Sequence, residues 1–219
     1  LNNDNHYITI DNKEFLYYYT DVFVNKNIIL RLDLDMGDGH HEKVITEGND
    51  SKFGLYLKDL DHVIKFCNLN NITILGLHSH RGSNINDINN WINAFKKLQE
   101  IAIKYNIKVL NIGGGFGTKL DSYDFINLDF NLKQLNEGVE IWVEPGRYLV
   151  ADAGIILSKV NLVKQKGSKK FIGVATGMNT LMRPMLYDAY HDIYNLTNML
   201  SKRLSIYDIV GPICESGDI

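Results

Sequence analysis

Several things are scarce or missing in this chain, and each absence removes a class of chemistry. Only two cysteines, Cys67 and Cys214, occur in 219 residues, too few for a disulfide framework and suited to a reducing compartment. No apolar run reaches bilayer-spanning length, and the Asn-rich opening has no signal-peptide pattern. The expectation is a cytoplasmic protein with no membrane partner. The net charge is −3, mixed along the chain with no basic stripe, which argues against nucleic acid. Repeats and low-complexity tracts are missing, apart from mild Asn enrichment. Two glycosylation sequons, at Asn71 and Asn195, stand without a secretory signal and read as chance.

Three ligand signatures also fail. "DLDMGDGHHEK" begins like a calcium loop, but Gly37, Asp38 and Val44 stand where a ligand, a glycine and a glutamate are required. His40, His41 and Glu42 follow one another on that loop, and adjacent side chains rarely converge on one ion. No metal is expected; a metal-dependent barrel hydrolase is the alternative this loop leaves open. "GGGFGT" breaks the G-x-G-x-x-G fingerprint at Thr118, and no G-x-x-x-x-G-K-[ST] is present. A dinucleotide is thereby set aside, while a single phosphate is not.

The composition, 45% apolar and 22% charged, is that of a globular chain able to bury a core. Four apolar, β-branched runs predict strands at 27–35, 72–80, 107–115 and 139–145. Between them Leu60, Val63, Ile64 and Cys67 share one helical face, as do Ile88, Ile92, Phe95 and Ala102, with Asp87 placed as a cap. Strand-helix alternation means a parallel sheet, open or closed as a (β/α)8 barrel. Each run delivers its polar or glycine residues at the C-terminal end: Arg31 and Asp33, His78 and His80, Gly113 to Gly115, Glu144 and Arg147. Chemistry drawn from several strand ends favours the barrel, of which four strands make half. Past about Ala151 the helical period vanishes, and short strands around "KGSKK" suggest a β-rich second domain. The predicted division is 1–150 for the barrel part and 151–219 for the start of the β domain.

Taken singly, the strand-end residues are ambiguous. "NIGGGFG" is either a plain turn or a phosphate cradle, since phosphate needs bare backbone N–H groups at close range. Arg147 would serve that phosphate or pair with a buried Glu144. His78 reads as a core imidazole, neutral and hydrogen-bonded.

As an ordered set they are far more specific. "GLHSHRGS", "NIGGGFG", "WVEPGRYLVADAG", "GMNTLMRPMLYDAYHDI" and "GPICESGD" resemble the fold-III pyridoxal-phosphate decarboxylases, most of all the diaminopimelate decarboxylases. "GHHEKVITEGNDSKFG" is similar to the form found fused to aspartate kinase. The resemblance implies part of an alanine-racemase-like (β/α)8 TIM barrel followed by a C-terminal β domain. It implies pyridoxal 5′-phosphate as cofactor, with Glu144 at the ring nitrogen, His80 stacked on the ring, and Ser83, Gly113, Gly114 and Gly115 at the phosphate. Arg31 belongs to the network behind the cofactor. Arg147, Arg183 and Tyr187 are implied carboxylate binders, Glu215 binds a distal ammonium, and Cys214 is the proton donor near the reacting carbon, supplied across a homodimer interface so that sites are shared. The substrate implied is meso-diaminopimelate, giving L-lysine in the last step of its biosynthesis. Alternatives are decarboxylation of another basic amino acid or polyamine precursor, and a catalytically dead relative with a binding or regulatory role. The family's Schiff-base lysine and its final tyrosine segment match nothing here. With Leu rather than Met at position 1, the expectation is a chain lacking both segments and inactive by itself.

Overall fold

The computed structural model describes residues 7–37, 46–48, 51–199 and 205–218. They form two compact units, Leu1–Ala153 and Gly154–Ile219.

The first unit is a parallel sheet. Its strands are β1 (Ile8–Ile10), β2 (Asn27–Asp33), β3 (Leu55–Tyr56), β4 (Thr73–His78), β5 (Val109–Asn111) and β6 (Glu140–Trp142). The order is β1-β2-β4-β5-β6, with β3 beside β2. Sequence periodicity finds four of these and misses β1 and β3, whose three and two residues are too short for an alternating pattern. The helices are α1 (Lys13–Tyr18), α2 (Thr20–Phe23), α3 (Leu60–Leu69), α4 (Asn89–Tyr105), α5 (Ser122–Leu135) and α6 (Arg147–Val150). Asp87 caps α4 one residue earlier than a standard cap, its carboxylate accepting the Asn89 N–H at 3.0 Å. A reciprocal box between Asp121 and Asp124 starts α5.

The two faces of this sheet differ. Leu30, Leu32, Leu77, Leu110 and Ile112 point to the side where Val63 and Cys67 of α3 and Phe95 and Leu98 of α4 complete a buried core. The opposite face carries Arg31, His78 and Asn111, which the strand register sets side by side with Trp142. The sheet also curls strongly. The rings of Tyr7, just ahead of β1, and Trp142 in β6 are 5.3 Å apart, whereas four flat strand spacings would separate them by roughly 19 Å. Helices outside, a curled parallel sheet and polar side chains inside are the features of part of a (β/α)8 barrel.

The second unit holds β7 (Val160–Lys166), β8 (Lys169–Val174), α7 (Arg183–Tyr187) and β9 (Asp208–Val210). β7 and β8 pair antiparallel around Gly167, whose φ of +61° suits a two-residue hairpin turn. β9 adds parallel to β8.

Candidate active site

β4, β5 and β6 end at the His78–Asn111–Trp142 row itself, and two residues further along each segment, level with Asp33 at the end of β2, come His80, Gly113 and Glu144. That shared level brings side chains from four chain segments to one rim.

Glu144 is the anionic centre. Asn111 Nδ2 donates to its Oε1 at 2.8 Å, and His78 Nε2 stands 3.5 Å from its Oε2, an ion-pair separation longer than a formed hydrogen bond. The His78 imidazole beside it, with help from Asn111, draws its carboxyl down to about 2 against the opposing effect of burial. Two expectations change here. Glu144 is half-exposed, and its neighbours among the described residues are Asn111 and His78. His78 is buried as expected, yet neither ring nitrogen has a hydrogen-bond partner among the described residues.

His80 Nδ1 accepts the Gly114 N–H at 3.2 Å. Burial first, then the nearby Arg31 guanidinium, holds this imidazole below its ordinary range, so it presents a neutral, flat ring. Its backbone is clamped as well, with the Thr46 hydroxyl donating to the His80 carbonyl at 2.5 Å. Arg31 lies over the Phe53 ring at 4.6 Å; burial lowers its pKa, while Asp11, Glu47, Glu144 and Asp33 favour its charge.

The glycine run is required by close approach. A Cβ at Gly113 would strike the Ser79 carbonyl, at Gly114 the Glu144 carbonyl, and at Gly115 the Gly82 carbonyl. The N–H groups are not all bare, contrary to the simple cradle: Gly113 donates to Asn111 Oδ1 at 2.9 Å and Gly114 to His80. Beside the run, Arg147 Nη2 donates to Ser83 Oγ at 3.0 Å, so a guanidinium and a hydroxyl meet at the rim.

A donor atom each of His78, His80 and Glu144 fall within 4.8 Å of one another, a set that a divalent ion can also use. The engaged Nδ1 of His80 and the neighbouring Arg31 charge both oppose a cation there. His40, His41 and Glu42 lie outside the described residues. The set fits pyridoxal phosphate better: a half-exposed carboxylate for a ring nitrogen, a neutral imidazole for a ring face, and a guanidinium with a hydroxyl beside a glycine turn for a phosphate.

The remaining predicted residues belong to the second unit. Arg183 opens α7, with its guanidinium 5.8 Å from the Tyr187 ring. Cys214 and Glu215 lie exposed in the turn that follows β9. One buried carboxylate, Asp218, ties these segments together. It accepts the Met178 N–H at 2.5 Å and the Ile213 N–H at 2.8 Å, and a Cβ on Gly177 or Gly211 would run into it. A Cβ on Gly217 would meet the Met185 side chain of α7. The glycines of "GM", "GP" and "SGD" are thus parts of one knot.

Sequence reasoning missed Asn111, His78 and Asp218 as site-building residues. The one available signal was a polar residue on the inward face of a strand, immediately before the glycines in the case of Asn111.

The family described as pyridoxal-dependent decarboxylase, pyridoxal binding domain, matches residues 1–151. The diaminopimelate decarboxylase of Aquifex aeolicus is 38% identical in an alignment of 203 positions that covers 87% of this chain and 48% of that protein. The enzyme of that name from Buchnera aphidicola subsp. Acyrthosiphon pisum is 34% identical in an alignment of 216 positions that covers 88% of this chain and 50% of that one. The crystal structure of diaminopimelate decarboxylase from Helicobacter pylori complexed with L-lysine superposes with a TM-score of 0.82 at 25% identity, covering 97% of this chain and 56% of that one. The chain spans about half the length of the curated relatives it matches. It belongs to the pyridoxal-dependent decarboxylases, and residues 1–151 are its pyridoxal-binding domain.

Proposed function

We propose that the full-length protein decarboxylates meso-diaminopimelate to L-lysine, the last step of lysine biosynthesis, as a cytoplasmic homodimer whose subunits share active sites. The observation that carries this reading is Glu144, an ionised carboxylate bonded by Asn111 and 3.5 Å from His78 Nε2, on the rim that also carries His80, Ser83 and Arg147. Pyridoxal phosphate, when bound, supplies the electron sink that loss of a carboxylate from an amino acid needs.

The chain's own residues divide the remaining work. Glu144 holds a proton at the ring nitrogen, which a carboxyl ionised well below neutrality does without taking that proton for itself. The neutral His80 ring stacks on the cofactor face. Ser83, Arg147 and the run Gly113, Gly114 and Gly115 bind the phosphate, and Arg31 adds positive field behind the site. Arg183 and Tyr187, with Arg147, take up substrate carboxylates, for which a guanidinium provides paired donors. Glu215 takes the distal ammonium and Cys214 returns a proton to the reacting carbon. A substrate with both a distal amine and a distal carboxylate uses Glu215 and Arg183 together, which favours diaminopimelate over ornithine-like substrates. That L-lysine is bound in a structural neighbour supports the same choice.

The test is carbon dioxide release from meso-diaminopimelate by the full-length protein. Glu144→Gln should still bind the cofactor, though less tightly, and slow turnover about a hundredfold or more, and near-normal turnover removes Glu144 from its role. Faster release from ornithine or arginine than from diaminopimelate would overturn the substrate assignment.

A further inference from the structure

A carboxylate that serves a ring nitrogen must be aimed, and Glu144 sits on an open face where its side chain is 49% exposed. One of its oxygens is fixed by Asn111, which is itself fixed by the Gly113 N–H. The other oxygen faces His78 Nε2 at 3.5 Å. His78 is 5% exposed, and both its nitrogens are buried without a hydrogen-bond partner among the described residues. Burying an unpaired imidazole is costly, so its position calls for a partner that the folded protein supplies. Four groups face it: Arg31 across β2, His80 on its own segment, Asn111 across β5, and Glu144. Of these, Asn111 uses its amide N–H on Glu144 and its oxygen on Gly113, Arg31 lies over Phe53, and His80 accepts from Gly114. Of the four, Glu144 alone offers a free acceptor oxygen, Oε2, 3.5 Å from Nε2.

We propose that His78 is a positioning residue, whose Nε2–H completes a two-point grip on Glu144 and aims that carboxylate at the cofactor's ring nitrogen. The inference rests on the role proposed for Glu144 above. With His78 and Asn111 holding one oxygen each, Glu144 loses its rotational freedom, and a lone pair remains directed outward for the ring nitrogen. Without His78 only the amide holds it, and the side chain can swing into solvent.

The experiment is a spectroscopic titration of the cofactor-free full-length protein with pyridoxal phosphate, comparing wild type, His78→Leu, His78→Gln and Glu144→Gln. His78→Leu fills the space without a donor and should weaken cofactor affinity about tenfold, with kcat reduced and KM for substrate unchanged. His78→Gln keeps an N–H donor and should restore affinity to within about twofold. Wild-type affinity in His78→Leu overturns the proposal. So does a His78→Gln protein that melts like wild type yet binds as weakly as His78→Leu. Should His78→Leu fail to fold, His78→Ala carries the same expectation. If Glu144→Gln leaves both affinity and turnover unchanged, the role of Glu144 is wrong. If Glu144→Gln impairs them while His78→Leu does not, the grip alone is wrong.

Discussion

Both compact units are built around β-strands, yet they treat apolar side chains in opposite ways. In the first, Leu30, Leu77 and Leu110 on adjacent strands are fully buried under Phe95 and Leu98 of α4. In the second, Ile155 and Ile206 are 90% and 91% exposed, and β7 is exposed along its whole length. Parallel strands joined by helices cover their own sheet, because the connection lays an apolar stripe on it. Among the described residues, the hairpin with its one added strand has no such cover. Its order comes from ladder hydrogen bonds, and the loops around it are held by the buried Asp218 carboxylate. Burial holds the cofactor-binding rim of the first unit, and a polar knot holds the loops of the second.

Core truncation should break this comparison most visibly. Phe95→Ala removes a ring with no exposed surface and should cost the first unit about 3–5 kcal/mol. Val163→Thr on the 65% exposed side of the hairpin should change stability by less than about 0.5 kcal/mol. Denaturation followed for both variants checks this, and equal losses would contradict the contrast.

A smaller effect is expected in the second unit. Asp218→Asn loses one acceptor and sets an amide donor against a backbone N–H, for about 1–3 kcal/mol. The loss should stay local, raising KM for substrate and speeding hydrogen exchange at Met178 and Ile213 while cofactor affinity is retained. Loss of cofactor binding would show that the knot acts beyond its own loops.

The rim of the first unit should also respond to acid. The folded state holds Glu144 at about 2, below its ordinary 4.5, so its contribution is present above the unfolded value and is lost as pH falls through the folded one. Melting of wild type and Glu144→Gln should therefore differ above about pH 4.5 and converge toward pH 2. A constant offset across that window would show that Glu144 is not the group responsible.

Thiol labelling gives the mildest contrast. Cys67 is buried in α3, and burial pushes its thiol up to about 11, whereas Cys214 is exposed. Of these two, only Cys214 should react with an alkylating reagent before denaturation, and rapid modification of Cys67 would mean that α3 opens readily.

How much of this was legible follows from the range of each interaction. The strands β2, β4, β5 and β6 stand out because continuous Ile, Leu and Val runs are what a sheet needs at its core, and the facing stripes of α3 and α4 repeat at helical spacing. β1 and β3 were hidden because pairing with β2 makes them strands, and two or three residues carry no period. Glu144, His80 and Arg147 were visible as polar residues where apolar runs stop, and Ser83 only through the family resemblance. Asn111 and His78 looked like incidental polar residues, since nothing local says that one will hold the other's neighbour. Asp218 looked like the end of a motif, since its partners lie 5 and 40 residues away.

By itself the amino-acid order determined the strand-helix alternation, the turn glycines and which residue types end each strand, because these depend on neighbours within a few positions. Only the tertiary structure decided that Asn111 and His78 stand against Glu144, that the glycines make room for carbonyls more than they offer bare N–H groups, and that Asp218 knots two loops. Those outcomes depend on strand register and sheet curl, which bring distant residues to within hydrogen-bonding distance.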